Sequence, residues 1–168
     1  IDYAFLYNTR FDLLRKAYER ANIKNNPEFQ NFINSESEWL EDYALYMAIK
    51  ASFNNRSLEF WDKDIRIREP KALKKYSDKY SDDVLFFEFI QFEFDREWKK
   101  LKAYANSKGV SIIGDIPIYV SGDSADVWAN PKLFQLDQDL RPTRVAGCPP
   151  DAFAVKGQLW GNPLYDWE

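Results

Sequence analysis

The chain has 168 residues, 45% of them hydrophobic and 17% aromatic, with a formal net charge of −4; that is long enough for a core and too apolar for disorder. Its basic residues alternate with acids, as in Arg15-Lys16 beside Glu19, which argues against a nucleic-acid partner, and no run of about 18 apolar residues is present to span a bilayer. Histidine is absent and Cys148 is the single cysteine, so this chain alone offers no internal disulfide, no zinc quartet and no histidine-based nucleophilic triad.

All six glycines lie at or after Gly109, and six of the eight prolines at or after Pro117. The asymmetry divides the chain into a helical segment, 1–108, and a strand-and-loop segment, 109–168. In the first, Phe11, Leu14, Ala17 and Tyr18 stand at helical spacing and predict a helix over about 9–21. Pro27 suits a first helical position ahead of Phe29 and Phe32. Ser35 with Glu38 reads as a capping box before the stripe Trp39, Leu40, Tyr43, Ala44, Met47, Ala48 and Ala51. Another helix starts at Pro70. Ser81-Asp82-Asp83 opens the longest one, with Phe87, Ile90, Phe94, Trp98, Leu101 and Ala105 on one face and Gly109 as its terminal cap. At helical spacing these aromatic stripes are assigned to the core rather than to a sugar-binding surface.

After Gly109, Val110-Ser111-Ile112-Ile113 predicts a buried strand leading into Gly114-Asp115-Ile116-Pro117-Ile118-Tyr119-Val120. A helix, a glycine and a parallel-type strand make half of a βαβ unit. An acid at the end of such a strand occupies the position where barrel enzymes place working side chains. From Ser121 onward little regular structure is expected, only a long structured loop rich in turn signals. One strand cannot close a sheet, and the chain opens on Ile1 rather than Met. The expectation is therefore an internal piece of a longer protein.

The stretch from Asp123 to Trp167 sets Trp128, Phe134, Phe153, Trp160, Tyr165 and Trp167 among Asp123, Asp126, Asn130, Asp151, Gln158 and Asn162. Sugars need both kinds of group: aromatic faces for their C–H surfaces, carboxylates and amides for their hydroxyls. By composition alone a carbohydrate groove and an ordinary packed loop both remain open. Four ordered motifs are more specific. Gly-Asp-Ile-Pro-Ile-Tyr-Val (114–120), Asp-Ser-Ala-Asp-Val-Trp-Ala-Asn-Pro (123–131), Val-Ala-Gly-Cys-Pro-Pro-Asp-Ala-Phe (145–153) and Gly-Gln-Leu-Trp-Gly-Asn-Pro-Leu-Tyr (157–165) together resemble the amylomaltases, the disproportionating 4-α-glucanotransferases of the α-amylase clan. Upstream, residues 42–50 and 89–92 resemble the same family, so the likeness covers essentially the whole chain.

The resemblance implies an α/β fold: a portion of a (β/α)8 barrel, with 1–108 an inserted helical subdomain plus a barrel helix, and 109–168 a barrel strand followed by groove loops. It implies a retaining double displacement on malto-oligosaccharides and α-1,4-glucans, with no cofactor and no metal. The family's nucleophile, general acid and third essential carboxylate lie on later strands, so no catalytic role passes to Asp115, Asp123, Asp126 or Asp151. The segment from Ala146 to Asn162 resembles the loop that covers the glucan groove. Gln158 and Trp160 are the implied substrate contacts, with Asp115 and Tyr119 nearer the barrel mouth. Asp115 keeps a second reading, as a hydrogen-bond anchor of neighbouring loops, and Trp128 is read as buried. Cys148 is given a packing role. Ala154-Val155-Lys156 departs from the Ser-containing tripeptide of the family. The rival reading is a non-catalytic glucan-binding or protein-interaction domain. A cytoplasmic setting and self-association of the isolated chain complete the expectations.

Overall fold

In the computed structural model, which describes residues 1–167, the α-helices run in the order α1 (Tyr3–Ala21), α2 (Pro27–Ser35), α3 (Ser37–Ser52), α4 (Lys63–Arg66), α5 (Pro70–Lys79), α6 (Ser81–Ser107) and α7 (Ala125–Ala129). Two strands follow, β1 (Val145–Cys148) and β2 (Gln158–Pro163), paired antiparallel. The helical character of the first segment is as predicted. The described residues form two units, one of Ile1–Ala44 with Ser81–Gly114, the other of Leu45–Tyr80 with 115–167.

The first unit is helix on helix. α1 begins at Tyr3, earlier than the apolar spacing predicts, because the Asp2 carboxylate accepts from the Phe5 N–H at 2.9 Å and caps the first turn. α2 starts at Pro27 as predicted, with the Asn26 side chain accepting from the N–H groups of Glu28 and Phe29. The Ser35–Glu38 capping box does not form. Ser35 ends α2, its hydroxyl donating to the Phe32 carbonyl, and the Glu36 carbonyl accepts from the N–H groups of Trp39 and Leu40 to open α3. On α3 the predicted Leu40 and Ala44 are buried.

α6 stops where Gly109 takes φ +75, with its N–H bonded to the Asn106 carbonyl and that of Val110 to the Ala105 carbonyl, each at 3.0 Å. This pair is the Schellman arrangement, which a residue lacking Cβ adopts without strain. Of the stripe predicted along α6 only Phe87 is buried, with Ile90 and Ala105 half-buried; the buried face is centred one position away. Phe86, Phe87, Phe89 and Phe92 are buried, and Tyr18 meets Phe86 while Phe29 and Phe32 meet Phe92 at ring separations of 5.5–5.7 Å. Beyond that point Phe94, Trp98 and Leu101 are exposed, and so is Trp39 on α3. The correction has a simple cause: spacing marks apolar positions on a helix, whereas burial follows the rings that pack on it, here Tyr18, Phe29 and Phe32 against Phe86, Phe89 and Phe92.

The second unit closes around Tyr46, Ile49, Leu58, Trp61, Ile65, Tyr76 and Trp128. Trp128 is fully buried, as read, and its indole N–H donates to the Ile65 carbonyl at 3.0 Å. The Asp-Ser-Ala-Asp-Val-Trp motif explains itself locally. Asp123 accepts from the Tyr46 hydroxyl (2.8 Å) and the Leu58 N–H (3.0 Å) and pairs with the Lys50 ammonium. Ser124 caps α7 by accepting from the Val127 N–H, and one turn later Trp128 enters the core.

The second segment differs from expectation in two places. In this chain residues 110–113 form no strand: the backbone there is irregular and Val110, Ile112 and Ile113 are exposed. A parallel strand exists only by hydrogen bonding to neighbours on the sheet, and no described residue pairs with this stretch. Conversely, the predicted loop beyond Ser121 contains α7 and the β1–β2 hairpin. At Gly147 the strands approach so closely that a Cβ would sit 2.5 Å from the Gln158 carbonyl oxygen.

Candidate functional site

The hairpin positions the predicted contact residues through an irregularity in its register. Cys148 pairs with Gln158 and Gly147 with Leu159, but Val145 pairs with Pro163. Ala146 therefore stands opposite three residues, Trp160, Gly161 and Asn162. Such a bulge bends the strand and re-aims its side chains. Gly161 supplies the necessary φ of +79, a left-handed conformation that side-chain-bearing residues adopt only with strain. Ala146 and Pro163 face inward, while Gln158, Leu159 and Trp160 face outward, with Trp160 51% exposed.

Two residues apart on one strand face, Gln158 and Trp160 meet: the Trp160 indole N–H donates to the Gln158 amide oxygen at 2.9 Å. Tyr119 joins them, its ring centroid 6.2 Å from that of Trp160 at an interplanar angle of 54°. The Asn162 amide donates to the Val120 carbonyl at 2.8 Å and ties the 119–120 segment to the hairpin. Three of the four predicted residues are thus brought together. The fourth, Asp115, is exposed, and no hydrogen bond ties it to the others.

The connection between the strands is organised by Asp151, whose carboxylate accepts from the N–H groups of Phe153 (2.8 Å) and Ala154 (2.6 Å). Gly157, at φ +71, bonds its N–H to the Ala154 carbonyl at 2.8 Å. The loop's hydrogen bonds are met in this way although Ala154-Val155-Lys156 carries no serine. Phe153 at its tip is 98% exposed. Cys148 is half-buried beside the loop.

Sequence reasoning named Tyr165, Phe134 and Trp167 only as members of an aromatic-rich stretch. Tyr165 lies almost parallel to Tyr119 (6.2 Å, 17°) and stacks on Phe134 (5.2 Å, 29°), with Trp167 at 5.4 Å on Tyr165. Ile118, Tyr119, Gln135, Leu164, Tyr165 and Trp167 line a cleft of about 470 Å³. The signal that could have found them is Asn-Pro-Leu-Tyr directly after the bulge, which continues the chain past the same ring.

Electrostatically the second unit's notable carboxylate is Asp123. Burial alone raises its pKa, but the Lys50 ammonium, the Leu58 N–H and the Tyr46 hydroxyl outweigh burial and hold it below the usual carboxylate range. All its partners are structural, so Asp123 anchors the fold. Among the described residues no group of three or more His, Cys, Asp or Glu is placed to hold a metal ion. What the cluster at Trp160 offers is an exposed ring face edged by an amide, a surface suited to the apolar face and hydroxyl rim of a sugar.

Comparison with known proteins agrees with this chemistry. The chain is 50% identical over 168 residues to a 4-alpha-glucanotransferase of Clostridium butyricum, a match covering 99% of this chain and 34% of that protein. A 4-alpha-glucanotransferase of Thermus thermophilus is 45% identical over 172 residues, covering 100% and 34%. The structure superposes with a TM-score of 0.92, at 45% identity, on an amylomaltase from Streptococcus agalactiae in complex with acarbose, covering 99% of this chain and 34% of the other. The chain thus spans about a third of the length of these relatives. The sequence profile described as 4-alpha-glucanotransferase matches residues 1–168, and this chain belongs to that family.

Proposed function

We propose that this chain forms one wall of the glucan groove of an enzyme that moves α-1,4-glucan segments between malto-oligosaccharides by a retaining double displacement. In this reading residues 109–168 contribute a barrel strand and groove loops, and residues 1–108 an inserted helical subdomain and a barrel helix, in a cytoplasmic (β/α)8 enzyme working without cofactor or metal. An unpaired segment at 110–118 that exposes Val110, Ile113, Ile116 and Ile118 supports the barrel reading, because a barrel strand without its neighbours leaves such side chains uncovered. The observation that carries the sugar reading is the half-exposed Trp160 ring held between Gln158 and Tyr119. Asp115 belongs to the same reading as a contact nearer the barrel mouth. The attacking carboxylate and the general acid come from outside this chain.

Titration of the chain with maltotriose, followed by tryptophan fluorescence, tests this. Trp160→Ala should weaken binding by about 1–3 kcal/mol, the contribution of an aromatic face to a bound ring. Its melting temperature should hardly change, because the ring is half out in solvent. Chromatography of the same mixtures should show no longer maltodextrins. Unchanged affinity in Trp160→Ala would sink the groove assignment, and robust product formation would sink the account of where the reacting carboxylates lie.

A further inference from the structure

Trp160 is the outer end of a run of rings. Trp160 meets Tyr119, Tyr119 lies nearly parallel on Tyr165, and Tyr165 stacks on Phe134. Exposure falls along the run from 51% at Trp160 to 5% at Phe134. The inner half is fixed by backbone. Phe134 and Tyr165 form an antiparallel bridge, the Gln135 N–H donates to the Leu164 carbonyl and the Asp166 N–H to the Leu133 carbonyl, both at 2.9 Å. The Gln135 side-chain amide also donates to the Tyr165 carbonyl at 3.2 Å. Tyr119 has less support: its segment is neither helix nor strand, and a side-chain bond from Asn162 to the neighbouring Val120 carbonyl ties it to the hairpin.

We infer that Tyr165 is a positioning residue: it orients Tyr119, and through it Trp160, for contact with a glucose ring, without itself touching the sugar. The inference rests on the groove reading above. An exposed indole at a bulge loses rotamer freedom when a ligand immobilises it, and prior restriction by a neighbouring ring removes part of that cost. The stacked geometry uses the ring of Tyr165, not its hydroxyl. Phenylalanine should therefore preserve the effect and leucine should remove it. The backbone bonds around residue 165 involve no side chain of that residue, so both variants keep the inner pairing.

The six tryptophans give six indole N–H signals in a ¹⁵N-correlated spectrum of this chain, and Trp160→Phe identifies the one from Trp160. On titration with acarbose the Trp160 signal of the unmodified chain should shift. In Tyr165→Leu that signal should move or broaden before any sugar is added, and the acarbose Kd should rise about two- to tenfold, the equivalent of one lost aromatic pair. Tyr165→Phe should restore both, while the Trp128 signal stays in place in every variant. A Trp160 signal and Kd unaltered by Tyr165→Leu overturn the positioning role. If Tyr165→Leu unfolds the chain, Tyr119→Leu cuts the same run one ring further out, and an unaltered Kd there overturns it equally. A Trp160 signal indifferent to saturating acarbose in the unmodified chain defeats the groove reading instead, and the sugar-free spectra still decide whether Tyr165 orders Trp160.

Discussion

Glu88 shows how much a single buried side chain can couple this fold to pH. It lies among the buried aromatic residues of α6, 8% exposed, and among the described residues no cation forms an ion pair with it. Burial first, and then the negative charge of Glu41 on α3, raise its pKa from 4.5 to about 7. For a carboxyl whose folded pKa lies above its unfolded one, the folded state binds the extra proton between those two values. Stability is then fully present below about 4.5 and falls as pH rises through about 7. Thermal unfolding near pH 5 and near pH 8, on either side of the folded value of about 7, reads the effect directly. Glu88→Gln should melt higher than the unmodified chain at the upper pH, and the gap should shrink at the lower. An equal gap at both would mean that Glu88 is ionised and solvated in the fold. Nothing in the sequence marks this residue: Glu88 interrupts an apolar run as a surface acid would, and only the packing of α6 on two sides buries it.

Among the elements, the ones that were legible carry their own local signals. Pro27 and Pro70 begin α2 and α5, and Gly109 ends α6, because each satisfies a backbone requirement within a few residues. The hairpin was not legible. Its bulge puts three residues of β2 opposite Ala146 and erases the alternation by which a strand is recognised. Residues 110–113 erred in the opposite direction, since an apolar run reports a preference for burial and says nothing of whether pairing partners are at hand. The site followed the same rule. Gln158 and Trp160, two apart on one strand, could be read from their motif, whereas Tyr165 works through stacking that only the folded chain reveals. Besides the burial of Trp128, a long-range polar anchor holds α7 in place. Asp123 gathers Tyr46 and Lys50 from α3 and the Leu58 N–H from the next turn. Asp123→Ala should leave a largely buried Lys50 ammonium and an N–H unpaired, costing about 2–4 kcal/mol of stability. Urea unfolding measures it, and a loss below about 1 kcal/mol would reduce the cluster to the standing of a surface ion pair.

At the scale of the whole chain, two apolar surfaces are left uncovered, one in each kind of segment. Phe94, Trp98 and Leu101 recur at helical spacing along the outer half of α6, and Ile113, Ile116 and Ile118 are each more than three-quarters exposed along the irregular segment. Isolated apolar side chains on a surface need no explanation, but a contiguous ridge on a regular helix does. The relatives are about three times as long as this chain, and each has far more polypeptide with which to cover such a face. In isolation the remaining way to remove the ridge from water is a second copy. Burying three large side chains on each of two helices is worth several kcal/mol, at roughly 25 cal/mol per Å² of apolar area, before the cost of association. The chain should therefore show a mass that rises with concentration in light scattering. Phe94→Lys combined with Leu101→Lys places charges on the ridge without touching the buried half of α6, so helix content by circular dichroism should hold while the mass falls towards the monomer. If the unmodified chain stays monomeric at high concentration, the exposed ridge does not drive association and the prediction fails. If the double variant associates as strongly as the parent, the contact lies instead along 110–118, and Ile113→Lys with Ile118→Lys becomes the pair that should abolish it.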